Sequence, residues 1–444
     1  MGTDIRIAWI LARGSERREW WRFSLTLLGA LLATGFALAA VTIAAVPGQV
    51  SIPHADGLLN QPGERAGVVL TLVLLLIPVL GFLGQCARIG AVHRHRRMAG
   101  MRLAGAPPAQ VRRIAVVESG FACLAGSTGG FTAFAVLLAV VGYLPGPGAW
   151  AGFAAVVLGV PVAAGLVSVF ALRNVLAAPL DHVRRTGPDS QRRAALAFAL
   201  AAVLIATSAL LLLFPGRRGA ATFVLLILAL VLLTGAGAIW SAKASAAFMG
   251  RRLSLRAERP AVLIAASRLA QEPWAAARSH AALLLATVVG VGFMGVRGVM
   301  LEGLRGPGHP PENMAFYTTG IALAGSAVLI ALAISLCGLA VGAAESLATR
   351  RRGLAAQAAA GVPFRVLAAA TLLETALPLA PALLLATIGG TVVHLAYGSL
   401  MGAGAVIVLP LLVPVAVYAA CLLAAATSLP LLRRVAHPSE LRFT

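Results

Sequence analysis

The chain has 444 residues, of which 59% are hydrophobic and 11% charged. A soluble domain carries roughly 25% charged residues, so this composition cannot clothe a water-facing fold. Its 36 basic and 15 acidic residues leave a net charge of +21, but Lys243 is the only lysine and the arginines sit in short runs between apolar stretches. That spacing argues against nucleic-acid binding and for basic loops flanking membrane spans.

Ten apolar stretches reach the length needed to cross a bilayer, about 20 residues each. In chain order they are 23–46, 66–85, 114–143, 150–172, 194–214, 220–240, 280–300, 320–343, 366–396 and 403–429. The first follows Arg17, Arg18 and Arg22 and so has the flank of a signal peptide. Its apolar run exceeds the 7–15 residues or so of a signal-peptide core, and it is expected to stay as a span. With the N-terminus inside, the outer segments hold Arg65, Arg217, Arg218, Arg297 and Arg305, and every other basic residue faces the cytoplasm. The positive-inside rule therefore predicts cytoplasmic N- and C-termini.

A shift of 256 residues lays one basic loop on another. Arg96, Ala99, Ala104, Gly105, Pro107 and Glu118 fall on Arg352, Ala355, Ala360, Gly361, Pro363 and Glu374. A shift of 257 sets Ile7, Ala8, Gly35 and Phe36 on Ile264, Ala265, Gly292 and Phe293, and a shift of 259 sets Pro179 on Pro438. Such a near-constant offset predicts a tandem duplication: one copy at 1–185, another at 258–444, and a two-span linker at 186–257. An even number of spans separates the copies, so they share one orientation and are related by an axis along the membrane normal. The expected fold is an all-α polytopic membrane protein of about ten transmembrane helices, as two parallel four-helix repeats plus a central helix pair.

The two loops read RHRRMAGMRLAGAPPAQVRRIAVVE over 94–118 and TRRRGLAAQAAAGVPFRVLAAATLLE over 349–374. Gly105 and Gly361 can each end a short helix in the left-handed conformation. Pro107 and Pro363 suit the first turn of the helix that follows, where no backbone donor is lost. A short helix rigidly joined to a span is the predicted result. Glu118 and Glu374 lie one to two turns inside the third and ninth spans, where an ionisable group usually faces protein or water. They could pair with a loop arginine (Arg112, Arg113 or Arg365), pack between the repeats, or carry protons.

Basic residues, a small-residue turn, then a proline opening a long helix with an early glutamate: this pattern resembles the FtsX-like, or MacB-type, permease family of ATP-binding cassette transporters. The resemblance covers both repeats. It implies a membrane permease subunit that couples ATP hydrolysis on a separate ATPase, present in two copies, to mechanotransmission or to export of a lipid, lipopeptide or antimicrobial peptide. ATP and Mg would belong to that partner, and the setting would be a bacterial inner membrane. The coupling residues would be Arg96, Arg97, Met98, Met101, Leu103, Gly105 and Pro107 in the first loop. In the second they would be Arg351, Arg352, Ala359, Gly361 and Pro363. The loops at about 47–65 and 301–319 are too short for the large extracytoplasmic domain usual in the family. An ion- or proton-coupled secondary transporter, for which parallel repeats are also common, and a membrane scaffold or sensor are the alternatives.

No catalytic or cofactor site is expected in the chain itself. A phosphate-binding loop needs Gly-x-x-x-x-Gly-Lys-Ser/Thr, and Lys243 sits in IWSAKAS without the glycines. His93 and His95 lie in an arginine run that opposes a metal ion, and His54 with Asp56 is expected to be a solvated loop. Cys86, Cys123, Cys337 and Cys421 are far apart, in or beside apolar runs, and read as packing residues.

Overall fold

The computed structural model describes residues 17–52, 57–103, 108–143, 145–176, 220–304, 312–401 and 408–436. Within them the chain is helical: α1 (Arg17–Ala44), α2 (Pro62–Leu103), α3 (Pro108–Val141), α4 (Pro147–Leu176), α5 (Ala220–Arg256), α6 (Pro260–Gln271), α7 (Pro273–Ser279), α8 (Ala281–Leu304), α9 (Glu312–Thr349), α10 (Arg351–Ala359), α11 (Phe364–Met401), α12 (Val408–Ala426) and α13 (Leu429–Val435). Proline opens α2, α3, α4, α6 and α7, where its missing N–H costs nothing and its fixed φ already suits the helix.

Nine helices among the described residues are long and apolar enough to cross a membrane, and the protein is an all-α polytopic membrane protein. The expected span at 194–214 lies outside the described residues. Interior prolines at Pro78, Pro161, Pro378, Pro381 and Pro414 leave their helices continuous, as membrane helices tolerate when neighbouring groups satisfy the freed carbonyls. Several helices outrun the apolar stretches read from the sequence. The 37 residues of α5 span about 55 Å at 1.5 Å per residue, against about 30 Å for a hydrocarbon core. Its C-terminal part therefore projects beyond the apolar layer, and α6 folds back along it. Gly250 makes this possible, because a Cβ there would meet the backbone N of Ala270 at 2.5 Å and the carbonyl of Ala266 at 2.9 Å.

The chain divides into two compact units, Met1–Val183 with Ala315–Leu323, and Arg184–Met314 with Ala324–Thr444. In the first, α1 packs against α2, α3 and α4. Gly126 and Gly130, one turn apart on α3, admit the backbone of α1 at Leu27 and Leu31. This close approach of small residues is how helices associate where lipid removes the hydrophobic drive. A buried hydroxyl relay stitches the same three helices: Thr34 of α1 donates to Ser127 Oγ of α3 at 3.0 Å, and Ser127 donates to the Val157 carbonyl of α4 at 3.0 Å. The loop after α1 is built around Arg65. Its buried guanidinium donates to the carbonyls of Leu59 at 2.9 Å, Asn60 at 3.3 Å and Gly48.

The second unit has its core where Ala238 and Ala242 of α5, Leu283, Leu284 and Val288 of α8, Leu379, Leu383 and Ala386 of α11, and Val417 and Cys421 of α12 meet. Gly389 and Gly390 of α11 sit against Thr234 of α5 and Val291 of α8. The close packings α8–α11, α11–α12 and α8–α12 occur in the same order along the chain as α1–α3, α3–α4 and α1–α4 in the first unit.

Candidate functional site: a short helix clamped at the arginine-rich end

The second basic loop forms the nine-residue helix α10, set between two spans. It ends in a Schellman turn. The Val362 N–H donates to the Gln357 carbonyl at 3.1 Å, and the Gly361 N–H donates to the Ala358 carbonyl at 3.0 Å. Gly361 has φ +88°, the left-handed conformation expected of it. Pro363 stands immediately before α11 rather than in its first turn. Its carbonyl accepts from the N–H groups of Val366 at 3.0 Å and Leu367 at 3.3 Å, so it caps the span while its ring fixes φ.

The inner face of α10 is anchored. Leu354 and Ala355 are buried, and Leu354 joins Leu347 of α9, Leu367 of α11 and Leu432 of α13 in one apolar cluster, with Ile264 of α6 and Val362 packed against it. Arg433 of α13 lies 4.8 Å from the centroid of the Phe364 ring, tying α13 to the start of α11. The outer face is different: Arg352, Gly353, Ala356 and Ala359 are exposed and Arg351 is half-buried.

Beneath the helix sits Glu374, whose side chain is 15% exposed. Arg350, the residue that caps α10, donates to its Oε2 at 2.7 Å, and Arg268 of α6 lies 3.5 Å from its Oε1. Arg350 also bonds Ser346 Oγ of α9. One carboxylate thus holds the cap of α10, the surface helix α6 and the span α11 together. Burial, followed by the nearby Arg350, pushes the Arg268 guanidinium below its ordinary value, and Glu374 and Glu272 pull it back up.

Glu374 pairs with arginine, but not with Arg365. Nine residues along a helix is two and a half turns, so Arg365 and Glu374 project from opposite sides of α11, and Arg365 is exposed. Arg268 was missed because it belongs to a separate amphipathic helix. Arg350 carried a signal in the sequence: the offset of 256 that sets Glu118 on Glu374 also sets Arg94 on Arg350.

In the first loop, Arg96, Arg97, Met98, Met101 and Leu103 belong to the C-terminal end of α2, which runs on without the break that separates α9 from α10. Gly105 and Pro107 lie outside the described residues, and the following helix begins at Pro108. Glu118 falls at the end of the third turn of α3; its side chain, like those of Arg112, Arg113, His93 and His95, lies outside the described residues, as do His54 and Asp56. Compared with known protein families and with curated proteins, the chain matches none.

Proposed function

We propose that the chain is the membrane subunit of an ATP-binding cassette system, and that α10 receives movement from a separately encoded ATPase. The observation that carries this reading is the join between α10 and α11. A helix that takes up a push must pass it on without bending, and three features stiffen this one: the Schellman turn at Gly361, the Pro363 cap, and the Glu374 clamp to Arg350 and Arg268. Its exposed face, with Arg352, Ala356 and Ala359, is small and positively charged, which suits a groove lined by carboxylates. The duplicated sequence supplies a second loop at 94–107, so one chain would serve two ATPase subunits, each bringing its own ATP and Mg. In this reading the arginine-rich end is cytoplasmic in a bacterial inner membrane. The output is mechanotransmission or export of a lipid, lipopeptide or antimicrobial peptide.

The deciding experiment is co-expression with candidate ATPases from the same genome, followed by purification on a tag carried by the chain. The ATPase should co-purify and its hydrolysis rate should change, while the chain alone hydrolyses nothing. Failure of any candidate ATPase to associate would remove the reading.

A proton-coupled transporter is the second reading, and one observation favours it. His394 of α11 is buried against Gly295 of α8, whose backbone its ring approaches. Histidine is the side chain whose ordinary range of protonation lies nearest neutral pH. Uptake or efflux driven by a pH gradient in proteoliposomes, abolished by His394→Gln and independent of ATP, would establish this reading instead.

A further inference from the structure

Lys243 is the only lysine in a chain that otherwise uses arginine for every basic residue. It lies on α5, and its Nζ sits 4.5 Å from the ring centroid of Trp274 on α7 and 5.5 Å from that of Trp240, one turn back on α5. The two indoles meet edge to face, with centroids 6.4 Å apart and planes at 78°. Trp274 is 42% exposed and Lys243 half-buried, so this cluster opens outward rather than into the core.

Its depth is set by the helices on either side. About 20 residues cross the hydrocarbon, which from Ala220 brings α5 to the neighbourhood of Trp240. Trp274 lies on the short helix directly before the span α8. The cluster therefore stands at the headgroup level of the leaflet on the arginine-rich side, where tryptophan concentrates. Two aromatic faces attract an ammonium through their quadrupoles but carry no net charge to neutralise it. Among the described residues no carboxylate comes within ion-pairing distance of Lys243. An ammonium has three donors, and the outward side of this one is left for an anion. At this depth the anion present in quantity is the phosphate of a phospholipid.

We propose that Trp240, Lys243 and Trp274 form a binding site for the headgroup phosphate of an anionic phospholipid, with the ammonium donating to phosphate oxygen and the exposed Trp274 ring lying along the acyl-chain boundary. The site holds α7 and the projecting part of α5 at a fixed height in the bilayer. It does not depend on the ATPase reading.

Because Lys243 is the sole lysine, its acylation by an amine reagent can be followed peptide by peptide. The Arg251→Lys variant, in nanodiscs of phosphatidylglycerol or of phosphatidylcholine, provides an exposed reference lysine that reports the general effect of a charged surface. Relative to that reference, acylation of Lys243 should be several-fold slower in phosphatidylglycerol than in phosphatidylcholine. Inorganic phosphate added to the phosphatidylcholine discs should not reproduce the protection. By native mass spectrometry, the parent protein and Lys243→Arg should retain a bound phosphatidylglycerol that Lys243→Gln loses. Equal relative acylation in the two lipids, protection by inorganic phosphate, or equal lipid retention by the parent and Lys243→Gln would each overturn the proposal. The acylation arm needs no substitution at the site, so it decides the question even if Lys243→Gln does not fold.

Discussion

Arg350 and Glu374 meet at 2.7 Å across 24 positions of sequence, joining the cap of a surface helix to the body of a span. A covalent turn alone would leave α10 free to pivot about Gly361 and Pro363. The ion pair adds a second point of attachment at the opposite end of the helix, and Arg268 of α6 braces the same carboxylate. A short helix held at both ends is stiffly joined to its span.

Removing the Glu374 charge should loosen that attachment. Glu374→Gln leaves Arg350 and Arg268 facing each other, at a cost of roughly 1–3 kcal/mol, below the 3–5 kcal/mol or so of a fully buried pair because solvent reaches all three side chains. Thermal unfolding of the purified protein should shift down by a few degrees, with Glu374→Asp falling between the two. An unchanged midpoint for Glu374→Gln would mean that the clamp contributes nothing to the join.

Gly361→Val tests the turn itself. A β-branched residue at φ +88° costs on the order of 1–2 kcal/mol, and open space around the glycine means that the penalty is conformational rather than steric. Insertion into the membrane should persist, since the spans are untouched. Stimulation of the partner ATPase should be lost or sharply reduced, as read by hydrolysis rate at equal amounts of co-purified complex.

The two faces of α10 should respond differently to the same substitution. Ala359→Asp places a carboxylate on the exposed face and should weaken ATPase co-purification while leaving the fold intact. Leu354→Asp buries the charge in the cluster with Leu347, Leu367 and Leu432 and should destabilise the protein outright. Leu103→Asp at the end of α2 should weaken ATPase binding more than Ala359→Asp, because the first loop has bulkier apolar residues to lose. If Leu103→Asp and Ala359→Asp both hold the ATPase as the parent does, docking lies elsewhere.

The duplicated offset predicts a second ion pair. Arg94 and Glu118 stand in the sequence where Arg350 and Glu374 stand 256 residues later. Arg94→Glu and Glu118→Arg should each reduce the yield of folded protein, and the double exchange should restore it. Additive losses in the double variant would deny the pairing.

Orientation can be read with cysteines in a background free of the native ones. Gln61 is exposed beside the loop held by Arg65, whereas Asn60 next to it accepts the Ile52 N–H through Oδ1 at 2.8 Å and is spent on the loop's structure. Gln61→Cys should react with an impermeant reagent from outside intact cells, and Ala359→Cys should react only after permeabilisation. The reverse pattern would invert the topology.

The sequence by itself determined that this is a polytopic helical membrane protein, because hydrophobic length is a local property and each span must satisfy its own backbone. It also determined the turn at Gly361 and the fixed start of α11 at Pro363, since backbone stereochemistry belongs to the residues that have it. Only the tertiary structure decided which arginines reach Glu374. That depends on how α6, α10 and α11 are rotated about their axes when their apolar faces pack, and Arg268 comes from a helix more than a hundred residues away. The same packing decided that Leu354 points inward and Ala359 outward on α10. It also brought Trp274 of α7 over Lys243 of α5, a meeting of two separate helices that no spacing in the sequence announces.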